Sequence, residues 1–185
     1  MFKFSIKVNS YLKSFLFKIK LKILFRNNIK LSRVFFGKRM NITIGPEGSL
    51  ELGHGFSCRN NVSINVDSGK TIIGKNVFLN DSCSINCIDS ITIGDECIFG
   101  QNVMFFDHDH EFRKGGVISQ SGMNSSSIIL GRNIWIGAGA IVLRGTIIGD
   151  NVVIAANTIV KGEIPPNSIV YEEKKIIVKE NSKFK

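Results

Sequence analysis

Two of the three histidines in this 185-residue chain lie two residues apart in a run of carboxylates. His108 and His110 alternate with Asp107, Asp109 and Glu111. A neutral imidazole has a pKa of about 6.5, so it can take a proton from a hydroxyl group at cytoplasmic pH. A carboxylate or carbonyl oxygen must hold its second ring nitrogen, and the three acidic residues are local candidates. The spacing therefore predicts a general base in this segment.

The four cysteines do not have the spacing of a metal site. Cys83 and Cys87 are separated by three residues, which is not a zinc-knuckle spacing, and no histidine is near them in sequence. No secretory signal peptide is apparent, so we expect reduced thiols in a cytoplasmic protein. We expect Cys58 and Cys97, like the other two, to lie in the core and to bind no metal.

A period of six residues organises most of the chain. An aliphatic residue opens each unit of the C-terminal part: Leu130, Ile136, Val142, Ile148, Ile154 and Val160. Earlier triplets keep the same step: Leu52, Cys58 and Ile64, then Ile73, Leu79 and Ile85, then Ile93, Phe99 and Phe105. Six residues make one short strand and one tight corner, and three units make a triangular coil that buries its faces only against neighbouring coils. The period predicts stacked parallel strands and argues against an α-helix.

Glycine and asparagine recur where the corners should be: Gly74 with Asn76, Gly100 with Asn102, Gly131 with Asn133, and Gly149 with Asn151. Both residue types tolerate the positive φ of a sharp corner. Small or β-branched residues at the fifth place, such as Val62 and Ala140, should fill the narrow corner. The register breaks between Phe105 and Leu130, where a polar insertion carries both histidines. A polar loop on a rigid scaffold is where a site is expected.

Positive charge is concentrated at the N-terminus. The chain has 24 Lys and Arg against 15 Asp and Glu, a net charge of +9. Eleven of these bases and none of the acids lie in residues 1–46, which leaves 24 − 11 = 13 bases against 15 acids in the remainder. A nucleic-acid binder should spread such charge over a folded surface, so we expect no nucleic-acid partner.

Large apolar residues are interleaved with those bases. Five of them would share one helical face: Leu12, Phe15, Leu16, Ile19 and Ile23. The stretch from Lys18 to Ile23 also alternates like a strand. No apolar run approaches the about 20 residues of a membrane span. The segment therefore predicts a helix that caps the fold, an amphipathic helix on an anionic membrane, or one that does both.

The hexapeptide units of residues 42–170 resemble the left-handed β-helix acyltransferases. Within that superfamily the chain is similar to the maltose and galactoside O-acetyltransferases, and most similar to the short O-acetyltransferases of capsule and O-antigen polysaccharides. The resemblance implies an all-β fold, a left-handed parallel β-helix shaped as a triangular prism. The basic segment would span residues 1–28, and the acyltransferase domain residues 29–170. The active-site loop would then be 106–127, and a C-terminal tail would follow at 171–185.

The resemblance also implies an activity. It is direct transfer of an acetyl group from acetyl-CoA to a hydroxyl of a saccharide, a surface-polysaccharide, O-antigen or capsule precursor. It implies a homotrimer with each active site between two subunits, and no metal. We expect a cytoplasmic enzyme. Residues 1–26 could contact the inner face of the cell membrane and bring the prism to a lipid-linked acceptor.

Site residues follow from the same resemblance. Loop spacing favours His110 over His108 as the base. The acceptor would contact Asn80, with Asp89 standing next to the position of the family's second contact, and Asp107 and Trp135 would border the site. Coenzyme contacts would fall on small residues of the last coils and on nearby lysines: Gly137, Ala138, Ala156, Lys161, Lys174 and Lys175.

Three other functions stay open. An amine acceptor would need the same base, so an N-acetyltransferase acting on an amino sugar fits the same residues. A metal hydratase resembling γ-class carbonic anhydrase would need three histidines on zinc, but His54 lies three coils before His108 and His110. A non-catalytic prism, as a scaffold or an ice-binding surface, would leave the histidine loop without a role.

Overall fold

The computed structural model describes residues 2–113, 115 and 117–173, and it is nearly all β. One helix, α1 (Phe2–Leu24), precedes a solenoid of short parallel strands with about six turns. A 3₁₀ turn, Ile118–Gln120, lies in the insertion. The period of six therefore predicted the architecture correctly.

Three parallel sheets form the faces of the prism, and the chain visits them in turn. The first face consists of β1 (Ile29–Leu31), β3 (Ser49–Leu52), β6 (Lys70–Ile73), β9 (Ser90–Ile93), β14 (Ile128–Leu130), β17 (Ile147–Ile148) and β20 (Glu163–Ile164). The second face consists of β4 (Ser57–Cys58), β7 (Phe78–Leu79), β10 (Ile98–Phe99), β15 (Trp135–Ile136), β18 (Val153–Ile154) and β21 (Ile169–Val170). The third face consists of β2 (Asn41–Ile44), β5 (Ser63–Val66), β8 (Ser84–Cys87), β11 (Met104–Phe106), β16 (Ile141–Leu143) and β19 (Ile159–Val160).

The turns between faces stack into three corners along the prism. The first corner joins the first face to the second, the second corner joins the second face to the third, and the third corner joins the third face back to the first. All the unit-opening residues predicted to point inward are buried, from Leu52 to Val160. The fifth-place residues, including Val62 and Ala140, are buried beneath the corners as expected.

Asparagine and glycine have different reasons to be at the corners. Asn76, Asn102, Asn133 and Asn151 have φ between 54° and 58°, as predicted. Their partner glycines do not have positive φ, so that part of the expectation is wrong. Glycine is required there because adjacent coils approach closely: a Cβ on Gly100 would lie 2.6 Å from the backbone nitrogen of the next coil.

Helix α1 closes the N-terminal end of the prism, which confirms the cap and excludes the strand interpretation of Lys18 to Ile23. Leu21 is 2% exposed, and the ring of Phe17 meets that of Phe36 edge-on at 5.3 Å. The hydroxyl of Ser14 accepts the backbone N–H of Phe36 at 2.8 Å. A cap of this kind shields the first coil, which has no neighbour below it.

The face of α1 that packs is not the face that the apolar pattern predicted. Side chains of the predicted face are between 41% and 74% exposed: Leu12, Phe15, Leu16, Ile19 and Ile23. The helix buries Ser14 and Leu21 instead, because they lie on its opposite side. No helix in the described part of the chain is long and apolar enough to cross a membrane.

Candidate active site

The polar insertion leaves and rejoins the prism at the third corner. Between β11 and β14, two further strands, β12 (His108–His110) and β13 (Met123–Ser125), pair antiparallel as a short ribbon. The base of the ribbon is closed by the backbone N–H of Ser126, which donates to the carbonyl of Asp107 at 2.9 Å. The insertion therefore holds the histidine strand against the prism.

Asp107 is a fully buried carboxylate that faces backbone donors of the preceding coil. Its two oxygens accept the N–H of Ile88 at 3.0 and 3.1 Å, and Oδ2 also accepts the N–H of Asp89 at 2.8 Å. Oδ1 lies 2.8 Å from Nδ1 of His108. Because a carboxylate only accepts hydrogen bonds, Nδ1 carries a proton in this contact. The neutral ring then has Nε2 free to accept a proton.

The Asp107 carboxylate contacts His108 and not His110. The side chain of His108 is 19% exposed, so its ring is held in place but reachable. His110 is exposed, and the acidic residues on either side of it are engaged elsewhere. Asp109 accepts Nε of Arg144 at 2.7 Å, and Glu111 accepts the backbone N–H of Arg113 at 2.8 Å. Loop spacing favoured His110, whereas the geometry favours His108.

Arg144 is a site residue that sequence reasoning missed. Its hydrogen bond lowers the pKa of Asp109, and the positive charges of Arg144, Lys161 and Arg113 act in the same direction. Arg144 thereby ties the outer part of the ribbon to the prism. The register of β11 and β16 indicates its position. Phe106 pairs with Leu143, so the next residue, Arg144, lies beside Asp107 on the following coil at the third corner.

Comparison with known proteins identifies the family. Residues 127–162 match the family model described as bacterial transferase hexapeptide (six repeats). A protein of Escherichia coli K12, whose name assigns it to lipopolysaccharide biosynthesis as an O-acetyl transferase, is 32% identical over 158 residues. That match covers 77% of this chain and 80% of the relative. The chain belongs to the hexapeptide-repeat acyltransferases.

Two further proteins are similar to this acyltransferase, one in sequence and one in fold. Galactoside O-acetyltransferase of E. coli K12 is 34% identical over 136 residues, which cover 71% of this chain and 60% of that enzyme. An N-acyltransferase from Bacillus cereus, solved with dTDP and 3-hydroxybutyryl-CoA, superposes with a TM-score of 0.67 at 16% identity. That superposition covers 80% of this chain and 81% of the other, and it shows the shared fold.

The predicted acceptor residues of the acyltransferase do not all meet in one chain. Asp89 lies beside Asp107 and His108, and its Oδ2 accepts the hydroxyl of Ser127 at 3.4 Å. Asn80 lies at the second corner, where its Oδ1 accepts the following backbone N–H at 2.9 Å. Trp135 is on the outer side of the second face and 56% exposed. One subunit therefore brings together Asp89, Asp107 and His108 and keeps Asn80 and Trp135 apart from them.

The predicted coenzyme residues are divided between corners in the same way. Gly137, Ala138 and Ala156 stack at the second corner on successive coils, where a Cβ on Gly137 would lie 2.5 Å from the nitrogen of Ala156. Lys161 is at the third corner, where its charge acts on Asp109. Lys174 and Lys175 lie outside the described residues.

The cysteines of the acyltransferase are all buried. Burial raises the pKa of Cys58, Cys83 and Cys97 to about 11 and that of Cys87 to about 12. A thiol that stays protonated at neutral pH is a poor nucleophile, which argues against a covalent acyl-cysteine step.

The described residues contain no group of three metal-ligating side chains. His54 is at the first corner of the second coil, whereas His108 follows β11 at the third corner two coils further on. One chain therefore does not gather the three histidines that the hydratase alternative requires.

Proposed function

We propose that this acyltransferase transfers an acetyl group from acetyl-CoA to a hydroxyl of a saccharide, with His108 as the general base. The observation that carries the proposal is the buried Asp107 carboxylate fixed on Nδ1 of His108 at 2.8 Å. The names of the two E. coli relatives, both O-acetyl transferases and one of lipopolysaccharide biosynthesis, support an O-linked product on a surface polysaccharide, O-antigen or capsule precursor.

Nε2 of His108 would accept the proton of the acceptor hydroxyl as its oxygen attacks the acyl carbon. Acetyl-CoA supplies the acetyl group as a thioester, whose carbon–sulfur bond breaks when the new ester bond forms. The imidazolium of His108 would then return the proton to the departing sulfur, so protons and electrons balance. Asp107 stabilises the imidazolium and keeps the ring in the tautomer with Nε2 free.

Small side chains at the second corner fit a long thioester co-substrate. Gly137, Ala138 and Ala156 leave the backbone there without bulky cover, and Ala156 is exposed. Lys161 lies at the third corner, so in a site shared between two chains it would provide, from the neighbouring chain, a cation for a phosphate of the coenzyme. These residues would hold the co-substrate mainly through backbone groups and one charge.

We further propose a homotrimer with a site shared between chains. The second corner, with Asn80 and Gly137, lies on a different side of the prism from His108. A neighbouring prism that presents its second corner to this chain's third corner would bring the two sets together. Light scattering at micromolar concentration should give a trimer, and a fully active monomer would contradict the shared site.

We place the enzyme in the cytoplasm, where residues 1–26 could contact the inner face of the membrane and give access to lipid-linked saccharides. The activity is tested by measuring acetyl-CoA turnover against nucleotide sugars, free sugars, amino sugars and lipid-linked oligosaccharides. Turnover with a hydroxyl acceptor, lost in His108→Ala, is expected. Turnover only with amino sugars would replace the O-acetyl assignment with an N-acetyl one.

A further inference from the structure

Helix α1 leaves an apolar face exposed at the N-terminal end of the prism. Because Ser14 and Leu21 face the first coil, the opposite side of the helix points away from the solenoid. That side carries five large apolar residues that are 41% to 74% exposed: Leu12, Phe15, Leu16, Ile19 and Ile23. A contiguous exposed apolar patch of this kind marks an interaction surface.

Cations border this apolar face on both sides. At 100° per residue, Lys13 and Lys20 fall along one border and Lys22 along the other, and Arg26 follows in the turn after the helix. All four are exposed, and the first acidic residue of the chain is Glu47. Long basic side chains can extend past an inserted apolar face and keep their charges at the lipid headgroups. The arrangement is complementary to an anionic lipid interface rather than to a neutral one.

A cavity of about 650 Å³ adjoins the helix at the second corner of the first coils. Its lining includes the apolar residues Phe17, Phe36 and Met40 and four cations: Lys13, Lys38, Arg39 and Arg59. Arg59 pairs with Asp81 at 3.7 Å, and none of the other three cations forms an ion pair within the described residues. Lys13 belongs both to this cavity and to the border of the apolar face.

We propose that this end of the prism docks on an anionic membrane, with the exposed face of α1 in the lipid interface and the phosphate of an anionic lipid headgroup in the cavity. The consequence for catalysis rests on the proposed function of His108. β11 lies three strands above β2 on the third face, so His108 would be about 15 Å further from the membrane than the first coil. A membrane-bound saccharide could then reach the base.

Vesicle co-sedimentation of the full chain tests the apolar face. The wild type should bind phosphatidylglycerol vesicles and not phosphatidylcholine vesicles. Phe15→Glu, at a position 59% exposed, should weaken binding by about tenfold or more, because a charge replaces an inserted ring. Ile169→Glu is the matched control: its site is 72% exposed but on β21, at the opposite end of the prism, and binding should be unchanged.

A second pair of variants tests the cavity. Lys13→Gln with Lys38→Gln should weaken binding by about tenfold or more, since each basic residue near an anionic surface is worth about fivefold. Lys70→Gln with Lys75→Gln removes the same charge from exposed positions on later coils and should have a smaller effect. Inorganic phosphate, at ionic strength matched with chloride, should not displace the vesicles. Displacement by phosphate would show that the cavity takes a free anion, and the lipid assignment would fail.

Three further outcomes overturn the proposal: vesicle binding by Phe15→Glu equal to that of the wild type, equal effects of the two lysine pairs, or loss of the oligomer in Phe15→Glu. The last would show that the face packs against a second copy of the chain. Each variant is also assayed for acetyl transfer to a small soluble saccharide, which should be unaffected. If that transfer is absent from the wild type while vesicle binding is normal, the proposed function fails and the docking surface stands.

Discussion

Replacing Asp107 by Asn separates the folding role of this residue from its catalytic role. The amide has one oxygen and one NH₂ group in place of two acceptors. The N–H of Asp89 donates to Oδ2 and that of Ile88 to both oxygens, so Oδ2 accepts from both donors and the amide oxygen should take that position. The NH₂ group then occupies the Oδ1 position and donates to Nδ1 of His108, which reverses the tautomer and places the proton on Nε2.

The magnitudes follow from these contacts. The two backbone N–H groups keep an acceptor, but charge-assisted bonds become neutral ones, so we expect a loss of about 1–3 kcal/mol in the free energy of unfolding. A ring with its proton on Nε2 cannot accept one there, so kcat should fall by about 10²- to 10⁴-fold. Asp109→Asn, two residues along on the exposed side of the ribbon, is the matched control and should remain within about threefold of the wild type.

The assay combines urea unfolding with initial rates of acetyl transfer, measured where each variant is folded. The double variant Asp107→Asn with His108→Ala should be no slower than His108→Ala alone, because Asp107 acts through the histidine. Independent, multiplying effects would refute the positioning role. A folded Asp107→Asn enzyme with wild-type kcat would refute the tautomer argument altogether.

Three further predictions concern other parts of the molecule. Gly100→Ala should lower stability by about 1–3 kcal/mol in urea unfolding, because its Cβ would lie 2.6 Å from the nitrogen of Ala138, and a wild-type midpoint would contradict the close packing of coils. Stability should fall as pH rises above 9, because burial raises the pKa of Cys97 from 9.0 in the unfolded chain to about 11 in the folded one. The unfolded thiol then loses its proton at a pH where the folded thiol keeps it. Each buried cysteine then costs about 1.4 kcal/mol at pH 10, and Cys97→Ala should reduce the loss between pH 8 and pH 10 by about that amount. Arg144→Gln should change the free energy of unfolding by less than about 1 kcal/mol, because an exposed ion pair contributes little to global stability. It should increase amide exchange in residues 108–113, and unchanged exchange would show that the Arg144–Asp109 contact does not tether the ribbon.

Most of the fold could be predicted because each coil repeats one local rule. An inward aliphatic every six residues, from Leu130 to Val160, leaves a single way to bury one side of every strand. The packed face of α1 could not be predicted in this way. The large apolar residues of the predicted face are exposed, and the buried positions include the polar Ser14, whose hydroxyl accepts a hydrogen bond from the backbone N–H of Phe36.

The choice between the two histidines depends on a contact that spacing does not encode. Asp107 is selected as the partner because backbone donors of the preceding coil, at Ile88 and Asp89, face it. Those donors come into reach only when the coils stack. Asp89 lies outside the insertion, where the repeat register continues, and its backbone N–H meets Asp107 of the next coil.

The assignment of His108 as the base is tested by comparing kcat of His108→Ala with that of His110→Ala. The reaction is acetyl transfer from acetyl-CoA to the best saccharide acceptor, and both proteins must first be shown to be folded and of native oligomeric state. We expect a loss of about 10²-fold or more for His108→Ala and a change of less than about threefold for His110→Ala. Mass spectrometry of the acceptor should show one added acetyl group with the second variant only. The reverse order, or full activity in both variants, would contradict the assignment of His108 as the base.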